Sequence, residues 1–128
     1  MGRAALMKKA MILFAHGARD PKWAAPFQRL QEIVSVRSPD VIVSLAFLEL
    51  MSPRLPEAVA ALATQGAEEV TIVPVFLGQG GHVLRDLPVL LEQLRGNHPS
   101  IRFKTAEAVG ENADVLNAIA SYCLDAMR

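Results

Sequence analysis

Cysteine is almost missing from this sequence. Cys123 is the single one in 128 residues. One thiol excludes a disulfide framework and any cysteine-held cluster within the chain, and it suits a reducing cytosol. An excess of charge is missing too: 13 basic and 13 acidic side chains leave a formal net charge of zero. Broad, charge-driven binding to nucleic acid is thereby excluded, and only a local basic patch could capture an anionic partner. Nor is there a long apolar run of the ~20 residues that a membrane span needs. The run at residues 10–15 follows two lysines, as in a signal peptide, but His16 ends it too early for a secretory core. Leu6 stands where the myristoylation pattern requires Ser or Thr. Residues 1–7 read as a flexible leader, with Met7 as an alternative start. There is no repeat, no low-complexity tract, no linker and no histidine-rich tail.

What is present is apolar. Hydrophobic residues make up 52% and charged residues 20%, too apolar for a disordered chain. The length fits one domain over residues 1–128, able to bury roughly two thirds of its unfolded surface without a disulfide or structural zinc. The pattern alternates strand and helix four times. Residues 10–15 form a continuous apolar run, as in a buried parallel strand. Asp20-Pro21 then opens a helix with Trp23, Phe27, Leu30 and Val34 on one stripe. Residues 41–47 are a second strand. Pro56 starts a second helix with Leu55, Val59, Leu62 and Ala63 inward and Gly66 at its C-terminal cap. Residues 70–76 are a third strand, whose ladder should end near Pro74. Asp86 is the expected N-cap of a third helix that turns Leu87, Leu90, Leu91 and Leu94 to one side. Residues 101–106 are a weaker strand with Arg102 and Lys104 outward, as on a sheet edge. Asn112 or Asp114 begins a last helix through Val115, Leu116, Ile119 and Leu124, on which Cys123 should be buried.

This alternation predicts an α/β fold: a four-stranded parallel sheet in the order 2-1-3-4, with right-handed crossovers and helices on both faces. The winding direction reverses between strands 1 and 3. Ligands of open α/β sheets bind outside the carboxyl ends of the strands at such a switch point. His16 follows strand 1 and His82 follows strand 3, so both are expected on that edge, on neighbouring strands. A lone loop histidine is ordinarily solvated or a helix cap. Two of them at one switch point can converge on one ion. Glu49, after strand 2, puts a carboxylate near the same rim. His98 reads as a surface turn residue. Gly78, Gly80 and Gly81 either let backbone amides approach a flat or anionic ligand or form only a mobile loop. They do not make the dinucleotide fingerprint. Arg19, Arg54 and Arg85 each follow a strand end and would line a basic rim, although any one alone is ordinarily a solvated charge. Phe47 and Phe76 read as core, whereas Leu50 and Met51, in the loop, suit an apolar wall.

Three segments carry a resemblance: Phe14-Ala-His16-Gly-Ala-Arg19-Asp-Pro21, Ala46-Phe-Leu-Glu49-Leu-Met-Ser-Pro53-Arg-Leu-Pro56, and Pro74-Val-Phe-Leu-Gly-Gln-Gly-Gly-His82-Val-Leu-Arg-Asp86-Leu-Pro88. In this order, each after its strand, they resemble the sirohydrochlorin chelatase family, the short form of the class II tetrapyrrole chelatases, from about Lys8 to the end. The resemblance implies insertion of cobalt or ferrous iron (nickel in some members) into sirohydrochlorin, towards cobalamin or siroheme. It implies that His16 and His82 hold the metal and that Glu49 is the acidic site residue. It also implies a homodimer, since short members resemble one half of the long ones. Ala18 departs from the frequent His-Gly-Ser, which removes a hydroxyl and no metal ligand.

In physical terms, an imidazole pair suits cobalt, iron and nickel and leaves coordination positions for pyrrole nitrogens. His16, Glu49 or His82 would take the pyrrole protons. The arginines, the Gly80 and Gly81 amides, Leu50 and Met51 would hold the eight-carboxylate macrocycle. No tightly bound cofactor, no nucleic acid and no membrane partner is expected, and the cytoplasm is the expected compartment. Two rivals remain. A non-catalytic divalent-metal carrier or sensor would use the same histidines without turnover. A histidine phosphatase would need an Arg before its nucleophilic His, and position 15 is Ala15.

Overall fold

The computed structural model describes residues 7–78 and 81–128, residues 81–84 as backbone only. The leader expected at residues 1–7 lies outside them apart from Met7. Four strands, β1 (Lys9–Ala15), β2 (Ile42–Phe47), β3 (Glu69–Pro74) and β4 (Arg102–Thr105), form one parallel sheet in the order β2-β1-β3-β4. Four helices alternate with them: α1 (Ala25–Arg37), α2 (Leu55–Thr64), α3 (Gly81–Asn97) and α4 (Ala113–Asp125). The ladder of β3 stops at Pro74, which has no N–H to continue it. No helix among the described residues is long and apolar enough to cross a membrane.

Strand alternation sorts the side chains onto two faces. One carries Ala10, Ile12 and Phe14 of β1, Ala46 of β2, Val70 and Ile72 of β3 and Phe103 of β4. Against it pack Leu55, Ala58, Val59 and Leu62 of α2 and Leu91 and Leu94 of α3. Each fully buried Leu, Ile or Val here contributes about 1.5–3 kcal/mol relative to exposure. On the opposite face, among the described residues, α1 packs on β1 and β2. There Ala15 and Phe47 meet Ala24, Trp23 and Phe27, from a 3-10 turn (Pro21–Ala24) capped by Asp20 and from the start of α1.

Three expectations need correction. The third helix starts at Gly81 rather than after Asp86, and Pro88 lies inside it. The apolar stripe of Leu87, Leu90, Leu91 and Leu94 holds this helix against the core, and burial outweighs the one ladder bond that Pro88 cannot donate. Cys123 is exposed, not buried. The reason is the third correction: α4 buries none of its residues, and Leu116, Ile119, Tyr122 and Leu124 stay exposed.

Candidate active site

The site grows from the carboxyl edge of the sheet. β1 runs into His16-Gly17, and β2 runs into Leu48-Glu49. The two loops are zipped together beyond the strands: Leu48 N donates to Ala15 O at 2.8 Å and Glu49 N to His16 O at 3.0 Å. Gly17 makes this possible. Its φ is +93°, and a Cβ there would lie 1.9 Å from the Glu49 carbonyl oxygen. Only a residue without a side chain lets the two backbones approach so closely. His16 is thereby fixed at the end of β1, half-buried. Its ring lies on that of Phe76, with centroids 4.3 Å apart, and Phe76 in turn meets Phe14 at 5.8 Å. The imidazole therefore leans toward the end of β3.

From that end the chain leads through Leu77 and Gly78 to α3, whose second residue is His82. His82 thus follows β3 at the same sheet edge, in the first turn of α3; its imidazole lies outside the described atoms, as does Gly80. Gly81 is the first residue of α3. The β3 side of the rim has its own close approach. Gly110 N donates to Phe76 O at 2.9 Å, and a Cβ on Gly110 would lie 1.8 Å from the Leu77 carbonyl oxygen. Sequence reasoning missed Gly110, whose only signal was an isolated glycine just ahead of the last helix. It also missed the functional side of Phe76, which is core as expected but doubles as the platform for His16.

The remaining candidates lie on the segments that follow β1, β2 and β3. Glu49 and Leu50 are exposed, and Leu50 takes the left-handed conformation at φ 68°. That conformation is unfavourable for a non-glycine residue and turns the chain sharply towards Met51. The Ser52–Pro53 peptide is cis, and Phe47 N donates to Pro53 O, so the loop closes on itself. Arg54 heads α2, where its N–H donates to Glu57 Oε1 at 2.7 Å. A cleft of about 350 Å³ opens between Phe14, Phe47, Leu48, Arg54, Leu55 and Leu90. A shallower one of about 250 Å³ is lined by Leu50, Met51, Ser52, Arg54 and Glu57. Arg54 lines both, the one cation among their described lining residues. Arg19 and Arg85 are exposed, and none of the three arginines makes an ion pair among the described residues. Among the described residues the three guanidinium groups are thus open to an external anion. Among the described residues no three His, Cys, Asp or Glu side chains gather as a metal cage. What is left is an open edge where an ion would keep free coordination positions.

This edge can be set beside known proteins. The CbiX family model matches residues 10–126. The chain belongs to the CbiX family. Among its relatives, the sirohydrochlorin cobaltochelatase of Methanocaldococcus jannaschii is 38% identical over 90 residues, 70% of this chain and 63% of that protein. The sirohydrochlorin ferrochelatase of Bacillus subtilis is 26% identical over 113 residues, 88% of this chain and 43% of that one. The chain thus spans less than two thirds of the length of these relatives. The crystal structure of a putative cobalamin biosynthesis CbiX protein from Marinobacter aquaeolei superposes with a TM-score of 0.82 at 31% identity, covering 93% of this chain and 97% of that one. SirB from Bacillus subtilis subspecies spizizenii, a sirohydrochlorin chelatase in complex with cobalt, gives 0.79 at 26% identity, covering 93% and 51%. A CbiX-family chain of this length therefore matches the whole of one solved protein and half of another.

Proposed function

We propose that this chain is an enzyme that inserts a divalent metal ion, cobalt or ferrous iron, into sirohydrochlorin on the way to cobalamin or siroheme. The observation that carries the reading is the His16 imidazole, laid on Phe76 at the carboxyl edge and leaning toward the strand that leads to His82. The metal is a substrate. His16 and His82 hold it, and two neutral imidazoles leave positions open for pyrrole nitrogens. Insertion joins one divalent cation to the macrocycle and releases two pyrrole protons, so the charges balance. Glu49, or a histidine as the metal leaves it, accepts a proton.

The macrocycle carries eight carboxylates, which suits Arg19, Arg54 and Arg85, none of them in an ion pair among the described residues. The cleft of about 350 Å³ is at the small end of ligand pockets, about 300–1,000 Å³. The ring therefore lies across the edge, with Leu50 and Met51 against one face and the Gly80 and Gly81 backbone beside it. One copy covers only part of such a substrate, and a homodimer completes the enclosure. The protein has no tightly bound cofactor, no nucleic-acid or membrane partner, and works in the cytoplasm.

The test is turnover. Sirohydrochlorin mixed with the protein and cobalt, ferrous iron or nickel in parallel should show the absorbance change of metallation at rates well above the uncatalysed reaction. Tight binding of cobalt without any turnover would instead make the chain a metal carrier or sensor.

A further inference from the structure

Asp86 sits where helix formation does not ask for a carboxylate. It is the sixth residue of α3, past the N-cap and past the first turn, the two places where a helix favours an aspartate. Inside a helix, aspartate is among the poorer ordinary residues. Elsewhere the chain uses such side chains as caps: Asp20 and Asn112 each accept a backbone N–H at the head of a helical segment. Asp86 instead lines a narrow cleft with Phe14, Leu48, Leu87 and Leu90. It stays exposed there, so replacing it should leave the fold intact.

This cleft puts Asp86 on the side of the sheet where His16 lies. Phe14, which lines it, meets Phe76 at 5.8 Å, and the Phe76 ring carries that of His16 at 4.3 Å. The period of α3 adds the second placement. Positions 82 and 86 are one turn apart, about 6 Å along the axis, and so share a face of the helix. Leu90 continues that face and lines the same cleft. The helix backbone thus sets a carboxylate one turn from His82, beside the edge where His16 stands.

A histidine that holds a metal through one ring nitrogen has a second N–H to place. A carboxylate that accepts it fixes the tautomer and the ring orientation and makes the imidazole a stronger ligand. Losing such a partner typically weakens metal affinity about 10- to 100-fold. His16 is steadied by the Phe76 ring. We propose that Asp86 does the corresponding work on α3, as a positioning residue that acts through His82. This rests on His82 holding the metal, the reading given above, and adds the group that orients it. Asp86 itself meets neither the metal nor the macrocycle.

Titration calorimetry of the full chain with cobalt(II) alone tests this. Asp86→Asn keeps the shape and removes the charge. It should weaken cobalt binding at least about tenfold with an unchanged circular dichroism spectrum. Asp86→Glu keeps the charge and should bind cobalt within about threefold of wild type. KM for sirohydrochlorin should move by less than about twofold in either variant. Unchanged cobalt affinity in Asp86→Asn, alongside a loss in His82→Ala, overturns the positioning role and leaves His82 as a ligand. A loss that Asp86→Glu does not restore also overturns it. So does a raised KM for sirohydrochlorin, the mark of a carboxylate that meets the macrocycle. Wild-type cobalt affinity in His82→Ala overturns both this role and the two-histidine reading.

Discussion

At Gly17 two backbones come together with no room for a side chain between them. Alanine there would meet the Glu49 carbonyl oxygen and hold an unfavourable φ of +93°. Gly17→Ala should cost more than about 1 kcal/mol, read as a lower denaturation midpoint, and should slow metallation by shifting His16. Phe76 permits a sharper test. Phe76→Leu keeps an apolar side chain in the buried site and removes the ring under His16, a contact worth about 0.5–1.5 kcal/mol. Stability should fall modestly and cobalt affinity several-fold; unchanged cobalt affinity would make the platform irrelevant. The places of His16, Glu49 and His82 after strands 1, 2 and 3 were legible in the sequence, and the proposed chemistry rests on those places. Phe76 as platform and Gly110 as spacer were not legible, because ring stacking and backbone approach are long-range contacts that no local pattern announces.

Element by element, the strands were legible because their apolar runs are short and bounded by turn residues. Pro74 marked the end of β3 correctly. Helix starts were harder where two signals competed. Asp20 and Asn112 cap as expected, each accepting a backbone N–H. Asp86 looks like a cap beside Pro88, yet tertiary burial of the leucine stripe extends α3 back to Gly81. The burial expected for Cys123 failed for a related reason: amphipathic periodicity says that a face is apolar, not which molecule covers it. Asn112→Ala removes the cap of α4, a loss of about 0.5–2 kcal/mol. Since α4 buries nothing in its own chain, the loss should appear as faster amide exchange over residues 113–125, with the exchange of β1 and β3 unchanged. Uniform acceleration across the sheet would show that α4 is part of the core after all.

For the molecule as a whole, zero net charge is set beside the proposed three-arginine edge. If Arg19, Arg54 and Arg85 grip carboxylates, replacing all three by Gln should raise KM at least tenfold and change kcat less. Wild-type KM should also rise with ionic strength, since exposed charges are screened within about 10 Å at 0.1 M salt; an identical KM at low and high salt would count against the arginine edge. The sheet order was readable from the alternation of elements, because right-handed crossovers leave few topologies. From that order came the edge where the two histidines belong. The most direct measurement of that pairing is the initial rate of cobalt insertion into sirohydrochlorin by His16→Ala and His82→Ala, each checked for native circular dichroism. Both rates should drop at least 100-fold, and restored turnover at high cobalt would be consistent with lost metal ligands. Wild-type rates in either folded variant would contradict a two-imidazole grip on the metal.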